Sequence, residues 1–202
     1  MKIILFDNTF SRQVHNKVQS NPLSIYPEAS LTILPETSLL IAKRPLFLPD
    51  MRGPIKANLV WAIRIDRLGR CVAERFADRY YDKVTIGVAM VAEGYRSDLL
   101  AVGGSDIIAR SFDGAVCLGE WEETEHLTTI KGRVSLDCLT AEFEEENWRN
   151  KANNLVSLIS KYQTIRQGDI LLVQTPYFLE MDIDKRLTGM LQEKQVLSVN
   201  VK

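Results

Sequence analysis

At 202 residues with 46% hydrophobic content, the chain is long enough to bury a sizeable core, and it reads as one domain spanning residues 1–202. Twenty-five basic residues against 26 acidic ones leave a formal charge of −1, which favours neither nucleic acid nor an anionic membrane as a partner. Cys71, Cys117 and Cys138 are odd in number and widely spaced, the pattern of reduced thiols in a cytoplasmic protein and not of a disulfide set or a zinc site.

Met1 to Asp7 carries one Lys and a short apolar run interrupted by an Asp. That is too short for a signal peptide or a bilayer span, and it predicts a first β-strand. Asn8 to Gln19 reads as a short polar helix or loop. Leu31 to Leu40 and the segment from Lys43 to Asp50 follow, with Pro45 and Pro49 marking edges and turns. Asn58 to Arg70 has an apolar-rich strand pattern closed by the turn glycine Gly69. Phe76 to Lys83 predicts a short helix with Phe76 and Tyr80 packed on one face, and the apolar run Val84 to Val91 comes next.

Gly103 and Gly104 break the chain between Ser97 and Ile107. Glu120 to Glu125 holds four acids in six residues and reads as a solvated loop, because the glycine and alternating oxygens of a calcium loop are absent. Lys151 to Tyr162 is the clearest helix, with Leu155, Leu158, Ile159 and Tyr162 on one stripe. Gly168-Asp169 then opens the strand Ile170 to Pro176. No repeat, low-complexity run or Ser/Gly-rich linker marks a second domain. Periodicity alone supports an α+β, β-rich single domain.

The order of four segments is more specific. Asn58-Leu59-Val60-Trp61-Ala62-Ile63-Arg64-Ile65-Asp66-Arg67-Leu68-Gly69-Arg70 is followed by Arg75-Phe76-Ala77-Asp78-Arg79-Tyr80-Tyr81-Asp82, then by Val84 to Val91, and finally by Ile108-Ala109-Arg110-Ser111-Phe112-Asp113-Gly114. This order resembles the fumarylacetoacetate hydrolase family, small bacterial hydrolases, decarboxylases and isomerases of 2-oxo and enol diacids. The resemblance implies a mixed β-roll of curved antiparallel sheets with few short helices. Residues 1–45 would form its amino-terminal strand and lead-in, and Asp184 to Gly189 with Val196 to Val201 its closing strand pair. It also implies a homodimer.

Laid on this family without gaps, the scaffold positions match and the chemical ones do not. The family holds magnesium or manganese with two Glu and one Asp, which fall on Asn58, Val60 and Ala89 here. Its Lys falls on Arg110, its proton-transferring His and Glu on Gln13 and Asn16, and a substrate-facing Lys on Leu34. His15, beside position 13, would point about 100° away from it on a helix. A glycine-rich bend that approaches substrate becomes Val173-Gln174-Thr175-Pro176-Tyr177-Phe178-Leu179-Glu180, so Gln174 and Thr175 are candidate ligand contacts beside Arg110. Glu93 sits where the family has Arg, and on an extended strand it would share a face with Ala89.

These replacements decide what chemistry is expected. A hard divalent cation needs several oxygens, some of them anionic, and one amide with two aliphatic side chains does not supply them. No metal cofactor is therefore expected. Without a cation, clustered carboxylates raise each other's pKa, so the three neutral residues also relieve repulsion. Arg110 keeps the positive charge of Lys but cannot act as a base, which leaves anion binding, unless it pairs internally with Glu93 or Asp113. Two functions follow from the resemblance. One is a catalytically inactive homologue, a binding, regulatory or structural dimer that holds a small dicarboxylate or pairs with an active paralogue. The other is a hydrolase, decarboxylase or isomerase working through a rearranged site.

Overall fold

The computed structural model describes residues 1–7, 31–40 and 44–202. Asn8 to Gln19, with Gln13, His15 and Asn16, lie outside the described residues.

The elements follow in the order β1 (Ile3–Phe6), β2 (Leu31–Leu34), β3 (Ile55–Ile65), β4 (Tyr81–Ala92), α1 (Glu93–Ala101), β5 (Val116–Leu118), β6 (Glu122–Glu123), β7 (Ile130–Leu136), β8 (Leu139–Glu145), α2 (Trp148–Tyr162), β9 (Ile170–Glu180), β10 (Arg186–Leu191) and β11 (Lys194–Asn200). One sheet runs β2-β1-β9-β3-β4-β5, with β6 added beside β4, and a second runs β11-β10-β7-β8. Every named pair is antiparallel except β1 with β9. The result is the β-rich α+β architecture of curled, mixed sheets that the resemblance implies.

Strand β3 is buried on both faces, which is why it reads as a nearly continuous apolar run. Its odd positions, Leu59, Trp61, Ile63 and Ile65, enter the main core with Val134 and Leu187 of the second sheet and Trp148 and Val156 of α2. Its even positions, Val60 and Ala62, enter a smaller cluster with Leu5, Leu34, Ala89 and Leu172. The alternation of β3 therefore sorts its side chains between two cores. The even side is where the candidate site lies.

Helix α2 begins three residues earlier than expected, at Trp148, whose ring meets Trp61 edge-on at 6.5 Å and Tyr81 at 6.2 Å. Leu155, Leu158 and Ile159 form the buried stripe, whereas Tyr162 in the last turn is exposed. Between β3 and β4 the expected helix over 76–83 is instead a 3-10 helix, Glu74–Tyr80, and Lys83 already belongs to β4. Pairing wins here: Tyr81 and Lys83 lie opposite Ile65 and Arg64, extending the long β3–β4 ladder. With three residues per turn, Phe76 and Tyr80 do not share a face. Phe76 is exposed between the guanidinium groups of Arg75 and Arg79, at 4.7 and 5.0 Å from its ring centre.

The acidic loop expected at 120–125 contains β6, where Glu122 pairs with Lys194 and Glu123 with Lys83. Strand β9 does not stop at Pro176 but continues to Glu180, with an irregularity instead of a bend. Val60 lies opposite Gln174 and Asn58 opposite Phe178, so residues 175–177 bulge against Leu59 alone. Proline, which has no N–H to give the ladder, fits such a bulge.

Candidate functional site

The bulge opens a cavity of about 220 Å³ beside the paired ends of β3, β4 and β9. Asn58 and Ala89 are direct neighbours across the β3–β4 ladder, and the Asn58 Nδ2 donates to the Ala89 carbonyl at 3.3 Å. Both line the cavity, as do Gln174 from β9, Arg110 from the end of the 3-10 turn Ile107–Ala109, and Leu34 from β2. The other two candidates stand off its wall. Val60 is sealed in the apolar cluster with Leu5, Leu34 and Ala89. Thr175 is buried in the bulge, where its Oγ1 accepts the Tyr177 N–H at 3.4 Å.

Arg110 pairs with neither Glu93 nor Asp113. Its Nη2 donates to Asp106 at 2.8 Å and its Nη1 lies 3.6 Å from Asp7 at the end of β1. The side chain is 7% exposed, and its Nε–H has no acceptor among the described residues. A buried N–H left unpaired costs about 1–3 kcal/mol, so two corners of the guanidinium face carboxylates and the third is shielded from solvent and unpaired.

Glu93 is not the last residue of an extended strand but the first of α1, because β4 ends at Ala92. It pairs with Arg96 at 3.4 Å, and Arg96 donates from Nε to Asp106 at 2.9 Å. The charges thus alternate along one chain, Glu93, Arg96, Asp106, Arg110 and Asp7. Burial opposes ionisation of Asp106, but the Arg96 hydrogen bond and the charges of Arg110 and Arg96 outweigh it and hold the carboxyl below the usual carboxylate range.

Three charged wall residues were missed at the sequence level: Asp7, Arg96 and Lys56. Lys56 is the one with a legible signal, since it sits two residues before Asn58 on the same face of β3. Its ammonium lies 4.9 Å from the centre of the Phe178 ring, and no carboxylate among the described residues lies within 4.0 Å of it.

The wall does not suit a divalent cation. Positions 58, 60 and 89 offer one amide already engaged with a carbonyl, an isopropyl group buried in a hydrophobic cluster, and a methyl group. The nearby acids Asp7, Glu93 and Asp106 each face an arginine, which an ion would have to displace. Among the described residues, no three His, Cys, Asp or Glu side chains are grouped to hold a metal.

A wider, mostly apolar cleft of about 710 Å³ lies between β5 and β11, and none of the described candidate residues reaches it. Among the described residues, no helix is long and apolar enough to cross a membrane.

Neither a family model nor a curated protein sequence matches this chain. Solved structures do. A fumarylacetoacetate hydrolase family protein of Yersinia pestis superposes with a TM-score of 0.79 at 17% identity, over 100% of this chain and 92% of that one. Fumarylpyruvate hydrolase of Pseudomonas aeruginosa, solved with manganese and pyruvate, gives 0.80 at 14% identity, over 100% and 89%. The 2-hydroxyhepta-2,4-diene-1,7-dioate isomerase of Mycobacterium marinum gives 0.76 at 17% identity, over 99% and 73%. At these identities the likeness establishes the fold, and the chain has the fold of these hydrolases and isomerases.

Proposed function

We propose that this chain is a member of the fumarylacetoacetate hydrolase family that binds a small carboxylate without metal-dependent turnover, and that it does so as a homodimer. The observation that carries the reading is Arg110, buried in the cavity wall with an uncommitted Nε–H, above a floor that is aliphatic at two of the three places where the family carries metal ligands. A guanidinium suits a carboxylate and cannot serve as a base. Gln174 and Asn58 add neutral polar contacts on the same wall. Developing negative charge on a bound oxo acid would find no cation of the strength that enolate chemistry requires.

Calorimetry with Mn²⁺ and Mg²⁺, and thermal shift with small carboxylates at constant ionic strength, test this reading. The expected result is no metal binding at micromolar concentration and a saturable upward shift with a carboxylate. That shift should vanish in Arg110→Lys, which keeps a positive charge near Asp7 and Asp106 and so should leave the unliganded fold intact. Micromolar affinity for either metal, or turnover of an acylpyruvate or oxaloacetate, would overturn it.

A further inference from the structure

The cavity wall says more about the ligand than that it is an anion. Lys56, Arg96 and Arg110 face Asp7 and Glu93 across it, and Asp106 pairs with both arginines. The wall alone therefore sums to one positive charge, and with Asp106 the cluster is neutral. One carboxylate therefore leaves the cluster with a single negative charge. A second would add a negative charge beside Glu93 and Asp7 that no further cation on the described wall balances.

The body of the ligand meets a different surface. Leu5, Leu34 and Ala89 make the floor, all of them members of the apolar cluster that also holds Val60. At the rim the Phe178 ring is half exposed, with the Lys56 ammonium 4.9 Å from its centre. An aliphatic floor with an aromatic rim favours a flat, apolar body, and a cation at the rim favours one with a π face. Size agrees: an apolar cavity of roughly 150 Å³ accepts a benzene ring, and this one, at about 220 Å³, has room for a ring and a carboxylate.

We propose that the cavity selects an aromatic monocarboxylate, its carboxylate on Arg110 and its ring between the aliphatic floor and the Phe178–Lys56 rim. The proposal rests on the carboxylate reading above and narrows it to one chemical class, distinct from a dicarboxylate.

Calorimetric titration of the full chain with benzoate, cyclohexanecarboxylate and succinate, at one ionic strength, separates the possibilities. Benzoate is expected to bind at least tenfold more tightly than succinate. Over cyclohexanecarboxylate, which matches its bulk but has no π face, it should gain about threefold to tenfold, the worth of one aromatic contact. Phe178→Leu, which keeps an apolar rim at a half-exposed position, should abolish that last preference. Lys56→Met should reduce it about twofold to fivefold.

Succinate binding as tightly as benzoate would overturn the inference while leaving the carboxylate reading in place. A benzoate preference unchanged in both variants would overturn the placement of the ring. Failure of all three acids to bind the folded wild-type chain would remove the carboxylate reading itself.

Discussion

Val60 offers the sharpest test of how the site is built. The resemblance puts a metal-binding Glu of the family at its position, yet it is fully buried among Leu5, Leu34, Ala89 and Leu172. In Val60→Glu the carboxylate would enter an aliphatic cluster with no cation of its own, because the Arg110 terminal nitrogens are taken by Asp7 and Asp106. A Glu so buried titrates near pH 8, against about 4.3 in the unfolded chain, and at pH 7 the difference costs about 1.36 × 2.7, or roughly 4 kcal/mol. Lost aliphatic packing adds about 1–2 kcal/mol.

The two parts separate by pH. A carboxyl whose folded pKa is raised destabilises the fold increasingly as pH climbs from the unfolded value toward the folded one, and the penalty disappears below the unfolded value. Urea unfolding should therefore show Val60→Glu about 5 kcal/mol less stable than wild type near pH 7 and only about 1–2 kcal/mol less stable near pH 4. Adding Asn58→Glu and Ala89→Asp should make the neutral-pH loss worse without metal. Mn²⁺ at a hundred times its dissociation constant should then restore about 2.7 kcal/mol. A single variant that loses less than about 1 kcal/mol at both pH values would mean that position 60 faces solvent. The strand register on which every site assignment depends would then be wrong.

Other outcomes follow from single residues. Arg96 and Arg110 hold the Asp106 carboxyl below its usual range despite partial burial; the stability this gives is present above the unfolded pKa and lost as pH falls through the folded one. The gap between wild type and Asp106→Asn in urea unfolding should therefore close below about pH 4. Cys71 and Cys138 are exposed, whereas burial pushes the Cys117 thiol up to about 12, so a thiol reagent should label two cysteines in the native protein and the third only on unfolding. Gly87→Ala would put a Cβ 2.1 Å from the Cys117 carbonyl across the β4–β5 pair, and thermal unfolding should show a loss of about 1–3 kcal/mol. Sedimentation should give twice the 22.9 kDa chain mass.

How much of this was legible in the sequence depended on how far each residue's partners lay along the chain. The strand read from Asn58 to Arg70, which the structure places at Ile55–Ile65, showed itself because its apolar run continues wherever both faces of β3 are covered, and Leu155, Leu158 and Ile159 showed helix α2 by local spacing. Phe76 misled for a local reason too, since i and i+4 share a face only if the helix is α, and the pull of the β3–β4 ladder at Tyr81 shortened this one to a 3-10 form. The pairing of Arg110 was half visible: Asp106 is four residues before it, but Gly103-Gly104 made the segment read as a break. Asp7 lies more than a hundred residues away and reaches Arg110 only because the cavity forms where β1, β3, β4 and β9 lie side by side. Charge sums over a sequence-derived site fail for the same reason, because the acids that balance Arg110 are not among the positions that the resemblance singles out.

That compensation bears on why such a site would persist. In the proposed reading, an aliphatic residue at position 60 does more than remove a ligand: it extends the cluster of Leu5, Leu34 and Leu172 through the place where an ion would sit, and burying a Val contributes about 1.5–3 kcal/mol. Asn58 ties itself to the Ala89 carbonyl, and the acids nearest the cavity each face an arginine. A single reversion to a carboxylate would meet a hydrophobic floor or a salt-bridged neighbour, and only a concerted change at 58, 60 and 89 recreates a place for a cation. In that reading, a stability barrier as well as missing ligands would separate the chain from metal chemistry, whereas refining the cavity for a carboxylate would require substitutions only at its rim.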